Sequence, residues 1–242
     1  MTISSGTTKG VPGHQRLRQV VLAVSIVSGP LGYGVGNSLI PAVHEDGAST
    51  IAANEAANGL TNTVHMVAYV FASYLLPIGV IGLAYLAYPR TPWLATIGGL
   101  VGVVGWLPFS ALTALDDLGN MMAQMPDNGS YAELLDRFTL DPVMNSYLLI
   151  YIVGHLVAYV LLGIALRRAG VIPRWAAWSM IASSPLTVAV FVLPGRPLAA
   201  GYIAMTLLVL GSLPAARRAL LSGDAAPAEA AGHAGGTPMS TR

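Results

Sequence analysis

Apolar residues in this chain come in long blocks, separated by short polar or proline-containing breaks, and not in the strict alternation of strands. The clearest block opens the stretch MNSYLLIYIVGHLVAYVLLGIALRRAGVIPRW, Met144–Trp175. It carries no formal charge from Met144 to Leu166, which as a helix spans roughly 30 Å, the thickness of a bilayer's hydrocarbon core. It stops at Arg167 and Arg168 and turns through Gly170 and Pro173, and a further apolar block starts at Trp175. Read the same way, the whole chain predicts six spans, at about 20–40, 64–88, 93–115, 144–166, 175–193 and 198–213. The expected fold is therefore an all-α integral membrane bundle of six transmembrane helices forming one domain over 16–218. It is flanked by disordered tails at 1–15 and 219–242, which lack the large apolar residues needed to fold.

The breaks have characters of their own. Pro41–Asn62 is polar, with an Ala-rich second half of helical character, and Asp116–Val143 is long and acidic. Within the latter, YAELLDRF, Tyr131–Phe138, reads as a short amphipathic helix. Pro89-Arg90-Thr91-Pro92 and Pro194-Gly195-Arg196-Pro197 read as tight turns. The first block follows Arg16 and Arg18, a pattern shared with secretory signal peptides. An uncleaved helix is the preferred reading because no clear small-residue cleavage site follows it.

Composition agrees with the blocks. The 242 residues are 54% hydrophobic and only 10% charged, with a mean hydropathy of +0.63. A soluble domain carries roughly 25% charged residues. The net charge of +1 hides a sorting of charges along the chain. With six spans, one side collects Lys9, Arg16, Arg18, Arg90, Arg167, Arg168, Arg174, Arg217, Arg218 and Arg242, ten of the 12 basic residues, and leaves only Arg137 and Arg196 opposite. Nine of the 11 acidic residues fall in the two long loops on that opposite side. The positive-inside rule then places both termini in the cytoplasm of a multi-pass protein of the cell (plasma) membrane.

Polar residues inside the spans recur four apart, so each series marks one helix face. Span four carries Tyr147, Tyr151, His155 and Tyr159; span two carries His65, Tyr69 and Ser73; span three carries Trp106, Ser110, Thr113 and Asp117, with Asp116 beside it; span five carries Ser179, Ser183 and Thr187. Lipid offers these groups no hydrogen bonds, so the stripes are expected to face the bundle interior. Depth along the spans gathers His65, Tyr69, Tyr147, Tyr151, Asp116 and Asp117 towards the outer face, as a polar pocket, with His155 near the midplane. The candidate catalytic groups are His155, Asp116, Asp117 and Tyr151, and the candidate substrate-binding groups are His65, Tyr69, Tyr147 and Trp106. Structural roles compete with these: interfacial anchoring for tyrosines, backbone bonding for serine and threonine, and close helix packing for Gly98/Gly102 and Gly32/Gly36.

Several chemistries are excluded or weakened. With no cysteine there is no disulfide, thiolate metal site or cysteine nucleophile. His65 and His155 differ in depth by roughly 13 Å, too far to sandwich one haem. No HExxH, GxSxG, P-loop or dinucleotide fingerprint occurs. His44-Glu45-Asp46 reads as a solvated acidic loop before a metal site, and the basic residues are a topology signal with no bearing on nucleic acid. No cofactor or metal is expected; the expected partners are the lipid bilayer, a lipophilic small molecule, and a second copy in a homo-oligomer.

The segment LLGIALRRAGVIPRWAAW, preceded by a histidine-bearing span and an acidic loop ending LLDRFTLDP, resembles a group of uncharacterised actinobacterial multi-pass membrane proteins. It is also similar to the domain-of-unknown-function 4386 proteins. The resemblance covers about residues 134–185; it implies a multi-helix membrane protein and transfers no activity. Three functions remain open at this point: a non-catalytic accessory or sensor protein, a small membrane-embedded acid–base enzyme acting on a terpenoid or quinone-like substrate, and a small-solute transporter component. No internal repeat supports the last.

Overall fold

A computed structural model describes residues 12–41, 46–126, 128–192 and 198–222. Those residues form eight α-helices and no strand: α1 (Gly13–Leu39), α2 (Gly47–Ala56), α3 (Gly59–Ala87), α4 (Pro92–Ala123), α5 (Gly129–Thr139), α6 (Pro142–Arg168), α7 (Arg174–Val192) and α8 (Leu198–Leu221). Five of them, α1, α3, α4, α6 and α8, are long and apolar enough to cross a membrane. The shorter α7, with 19 residues, is not among the five, although it runs roughly 28 Å and packs between α6 and α8.

The six long helices close into a ring in the order α1, α3, α4, α6, α7, α8, and α8 returns to α1. Within the ring α3 also touches α6 and α8, which fills the centre. Their outward faces carry large apolar side chains such as Phe71, Leu100, Leu107 and Leu149, each more than half exposed. A water-facing surface of that kind would be costly; a lipid-facing one is not. The short helices α2 and α5 lie together across the end where α4 finishes and α6 begins.

The sequence explains where helices start and stop. Asp46 opens α2 by accepting the Ser49 N–H, Asn58 opens α3, and Asp141 opens α6, with Pro142 at the first helical position. Helix α6 ends in a Schellman turn. Gly170 takes φ 70°, Val171 N donates to Leu166 O and Gly170 N to Arg167 O. The turn before α4 docks on this helix end: Arg90 Nη1 donates to Ala169 O at 2.7 Å and Thr91 Oγ1 to Ala165 O at 3.3 Å. Arg90, read from sequence only as a topology signal, thus also caps α6.

Several expected boundaries move. Helix α1 begins at Gly13, so residues 13–15, assigned to the N-terminal tail, are helical, and α8 runs on to Leu221 where a tail from 219 was expected. Helix α4 continues through Asp116 and Asp117 to Ala123, so these acids are helical and not loop residues. A charged pair does not end a helix; the end comes near Pro126, a residue that cannot continue one. The second half of the first polar loop is α2, and YAELLDRF lies within α5, as their patterns predict. The remaining tail segments, His44-Glu45, and the turn at Pro194–Pro197 lie outside the described residues.

The closest backbone-to-backbone approach in the ring joins α4 to α6 at Gly105 and Gly154. A Cβ on Gly105 would run into the backbone of Gly154 and His155, and one on Gly154 would reach Gly105 Cα at 2.6 Å. Gly98 and Gly102, singled out by their spacing, meet Leu162 and Ala158 of the same partner helix. Gly105→Ala should therefore cost about 1–3 kcal/mol, because the displaced groups are backbone. Gly119→Ala, where nothing lies within 4 Å of an added Cβ, should be neutral or stabilise by about 0.5–1 kcal/mol. Thermal unfolding of both variants in detergent tests this contrast, and equal losses would refute it.

Candidate functional site

Inside the ring, four helices contribute aromatic side chains to one continuous cluster. Tyr33 comes from α1, His65 and Tyr69 from α3, Trp106 and Phe109 from α4, and Tyr151, His155 and Tyr159 from α6; all are buried. Tyr33 stacks on Tyr69 with ring centroids 5.7 Å apart and meets Trp106 edge-on at 5.5 Å. Phe109 stacks on Tyr151 at 5.7 Å, and Trp106 lies 4.6 Å from His155. These edge-to-face and offset arrangements are the ones that ring quadrupoles favour.

The polar tips of the cluster are mostly satisfied within it. The Tyr151 hydroxyl donates to the Tyr33 hydroxyl at 2.6 Å, and the Tyr69 hydroxyl to Asn37 Oδ1 at 3.2 Å. His65 Nδ1 lies 2.8 Å from Gly36 O. That carbonyl belongs to the last turn of α1, whose carbonyls lack intrahelical donors, so His65 donates to it and caps α1 from α3. In a neutral ring Nε2 is then left with its lone pair. His155 Nδ1 bonds to Tyr151 O of its own helix, and His155 Nε2 is buried with no partner among the described residues. Trp106 Nε1 has no partner of hydrogen-bonding geometry, only a looser approach to the Tyr159 phenol.

Above the cluster, under α2 and α5, lies a cavity of about 290 Å³. His65 and Asp116 line it, together with Asn54 and Asn62, and most of the remaining wall is apolar, including Leu115, Leu135, Phe138 and Met144. Asp116 is solvent-accessible and lines the cavity. It lies close enough to act electrostatically on Tyr33, Tyr69 and Tyr151. The roof is held by Gly47 N donating to Asp136 Oδ1 at 2.7 Å, by Asn128 Nδ2 donating to Glu55 Oε1 at 2.8 Å, and by Ile51, Met122 and Ala123 packed against Tyr131, Ala132 and Leu135.

The candidates from sequence thus fall into three places. His65 and Asp116 line the cavity. Tyr69, Trp106, Tyr151 and His155 form the cluster below it, with His155 sealed from the cavity by the rings between. Asp117 and Tyr147 turn away: Asp117 lines surface grooves on the outside of α4, and Tyr147 is 46% exposed on the outside of α6. The two histidines are separated by rings, with Tyr69, Phe109 and Tyr151 in succession between them. Among the described residues no three His, Asp or Glu side chains are grouped to hold a metal ion.

The sequence reading missed Tyr33, Asn37 and Phe109. Tyr33 and Asn37 have the same four-residue spacing as the other stripes, hidden among the glycines of the first span. The serine and threonine stripe of α7 proves local, since Ser179, Ser183 and Thr187 all donate to carbonyls of their own helix. The bond between helices comes instead from Ser184, which donates to Leu156 O of α6 at 2.9 Å. The chain matches no family model, no curated protein and no solved structure.

The two buried histidines should respond differently to mutation. His155→Leu leaves Tyr151 O its helical bond and removes an unpaired nitrogen, so stability should change by about 1 kcal/mol or less. His65→Leu leaves the α1 carbonyl unpaired and should cost about 1–3 kcal/mol. Detergent melting temperatures of the two variants decide the order; a larger loss for His155→Leu would show that Nε2 is paired in the membrane.

Proposed function

We propose that this protein is a six-span plasma-membrane protein, both termini cytoplasmic, that binds a small lipophilic molecule beneath α2 and α5 as an accessory or sensor protein. The observation that carries the reading is the roofed cavity: mostly apolar walls with a few convergent polar groups describe a ligand site better than a leftover packing gap. Among the described residues the roof is tied by Gly47–Asp136 and Asn128–Glu55 and by a small apolar cluster, separately from the aromatic packing of the ring.

The distribution of groups favours binding over turnover. A substrate in the cavity meets His65 and Asp116, whereas His155 and Tyr151 are engaged with other rings and backbone. Because His65 and Asp116 share one wall, an acid–base enzyme acting on a lipophilic substrate is the second reading, with these two residues as its proton carriers.

Native mass spectrometry of protein released from native nanodiscs should find a small-molecule adduct. Gly119→Leu, which projects a side chain into open space of the cavity wall, should abolish it. An adduct retained in that variant places the ligand elsewhere; no adduct in either protein removes the binding reading. If purified protein converts the released molecule to a new mass, the enzyme reading replaces it.

Sidedness is supported by the arginines, and the aromatics beside them mark the interface at that end. Tyr85, Tyr88, Trp93, Trp175 and Trp178 are all exposed at the end that carries Arg18, Arg90, Arg167, Arg168 and Arg174, and Arg18 sits 5.2 Å above the Tyr85 ring. Such a belt marks a membrane–water interface. Topology reporters fused after Leu60 and Gly129 should read outside, and those after Arg90, Arg168 and Arg218 inside. An inside reading after Leu60 or Gly129 overturns the orientation.

A further inference from the structure

Asp116 is an acid in the wall of a mostly apolar cavity, and it makes no hydrogen bond or ion pair among the described residues. Its side chain keeps accessible surface on that wall, so its oxygens are free to accept from a bound molecule. Among the described residues no lysine or arginine lines the cavity. At this end of the bundle the described basic residue is Arg137, and it pairs at 2.6 Å with Glu133 on the exposed face of α5. His65, buried beside the same cavity, donates through Nδ1 to Gly36 O, which leaves Nε2 of the neutral ring an unpaired acceptor. Asn62 adds an amide that can donate or accept, but with the His65 ring neutral the one described group in this wall able to carry a full charge carries a negative one.

The cavity has a neighbour. Leu115, Leu118, Phe138 and Met144 line it and also line a groove of about 570 Å³ on the outer, lipid-facing side between α4 and α6. Helices α4 and α6 touch backbone to backbone at Gly105 and Gly154, and this groove lies beyond that contact, towards the roofed end. Four apolar side chains thus stand between the hydrocarbon of the bilayer and the acceptors of the cavity.

We propose that the cavity takes a cationic amphiphile: a primary ammonium head against Asp116 and His65 Nε2, and a hydrocarbon tail lying in the α4–α6 groove. This rests on the reading of the cavity as a binding site and adds the charge and shape of what it binds. An ammonium brings three N–H donors and one positive charge to a wall that, among the described residues, offers a carboxylate and an imidazole acceptor and no cation. An anionic head, carboxylate or phosphate, would meet Asp116 with no described cation to offset the repulsion. The tail needs no water-filled route, because the groove opens to lipid.

The test uses the full chain in phosphatidylcholine nanodiscs, with empty nanodiscs as the partitioning reference, and titrates decylamine, decanol and decanoic acid by calorimetry. Decylamine should bind at least about tenfold more tightly than decanoic acid after the reference is subtracted, the margin expected of a charge-assisted bond. Asp116→Asn should weaken decylamine by about tenfold and change decanol by less than about threefold. If decanoic acid matches decylamine, or if Asp116→Asn leaves the amine unchanged, the cationic assignment is overturned while cavity binding stands. If none of the three exceeds the empty nanodiscs, the binding reading falls with it. The ranking of the three probes on the unmodified protein needs no variant, so a poorly folding Asp116→Asn protein still leaves the proposal decided.

Discussion

The close approach of α4 and α6 at Gly105 and Gly154 is the contact on which the interior depends. In lipid there is no hydrophobic force drawing helices together, so association rests on how closely their surfaces fit. Two glycines facing one another let the backbones meet, and the residues next to them, Trp106 and His155, are brought face to face as a consequence. Every other ring of the cluster is positioned from this pair, through Phe109 and Tyr151 one turn further along the same two helices, and then Tyr33 and Tyr69 from α1 and α3. Towards the roofed end the same two helices leave a groove between them.

Above that contact the demands of the backbone decide the polar chemistry. The last carbonyls of α1 need donors, and His65 supplies one from α3, so a histidine that looks like an interfacial residue is a helix cap between elements. At the opposite end Arg90 does the same for α6. Two ionisable residues are thus occupied with helix ends, whereas Asp116, on the cavity wall, makes no such bond among the described residues.

His155 illustrates the opposite lesson. Midplane depth makes an ionisable residue conspicuous, yet its bonded nitrogen is satisfied by its own helix and its ring is packed against Trp106 and Tyr151. The rings that shield it also separate it from the cavity. Depth in a membrane is read along one coordinate, whereas access to a site depends on what surrounds the residue in the other two.

The sequence by itself determined the class of this protein: all-helical, with apolar helices long enough for a bilayer, because length and hydropathy are properties of each segment alone. The turn at Gly170 and the helical character of α2 and α5 were legible too, being local; the caps at Asp46, Asn58 and Asp141 are equally local but were not read from the sequence. The four-residue stripes were expected to face the interior: His65, Tyr69, Trp106, Thr113, Tyr151, His155 and Tyr159 are buried, whereas Ser110 and Asp117 of the α4 series and Tyr147 of α6 are exposed. What they could not settle was which members of a stripe point into the same space. Asp116 and Asp117 are neighbours in sequence, yet 100° of helical rotation sends one to the cavity and the other to an outer groove. Tyr147 and Tyr151 share a stripe, but one lies beyond the packed part of α6 and the other within it. Only the ring order of the helices, and the laying of α2 and α5 across its end, decided that a cavity exists and that His65 and Asp116 meet there, because both arise from contacts between residues far apart in the chain.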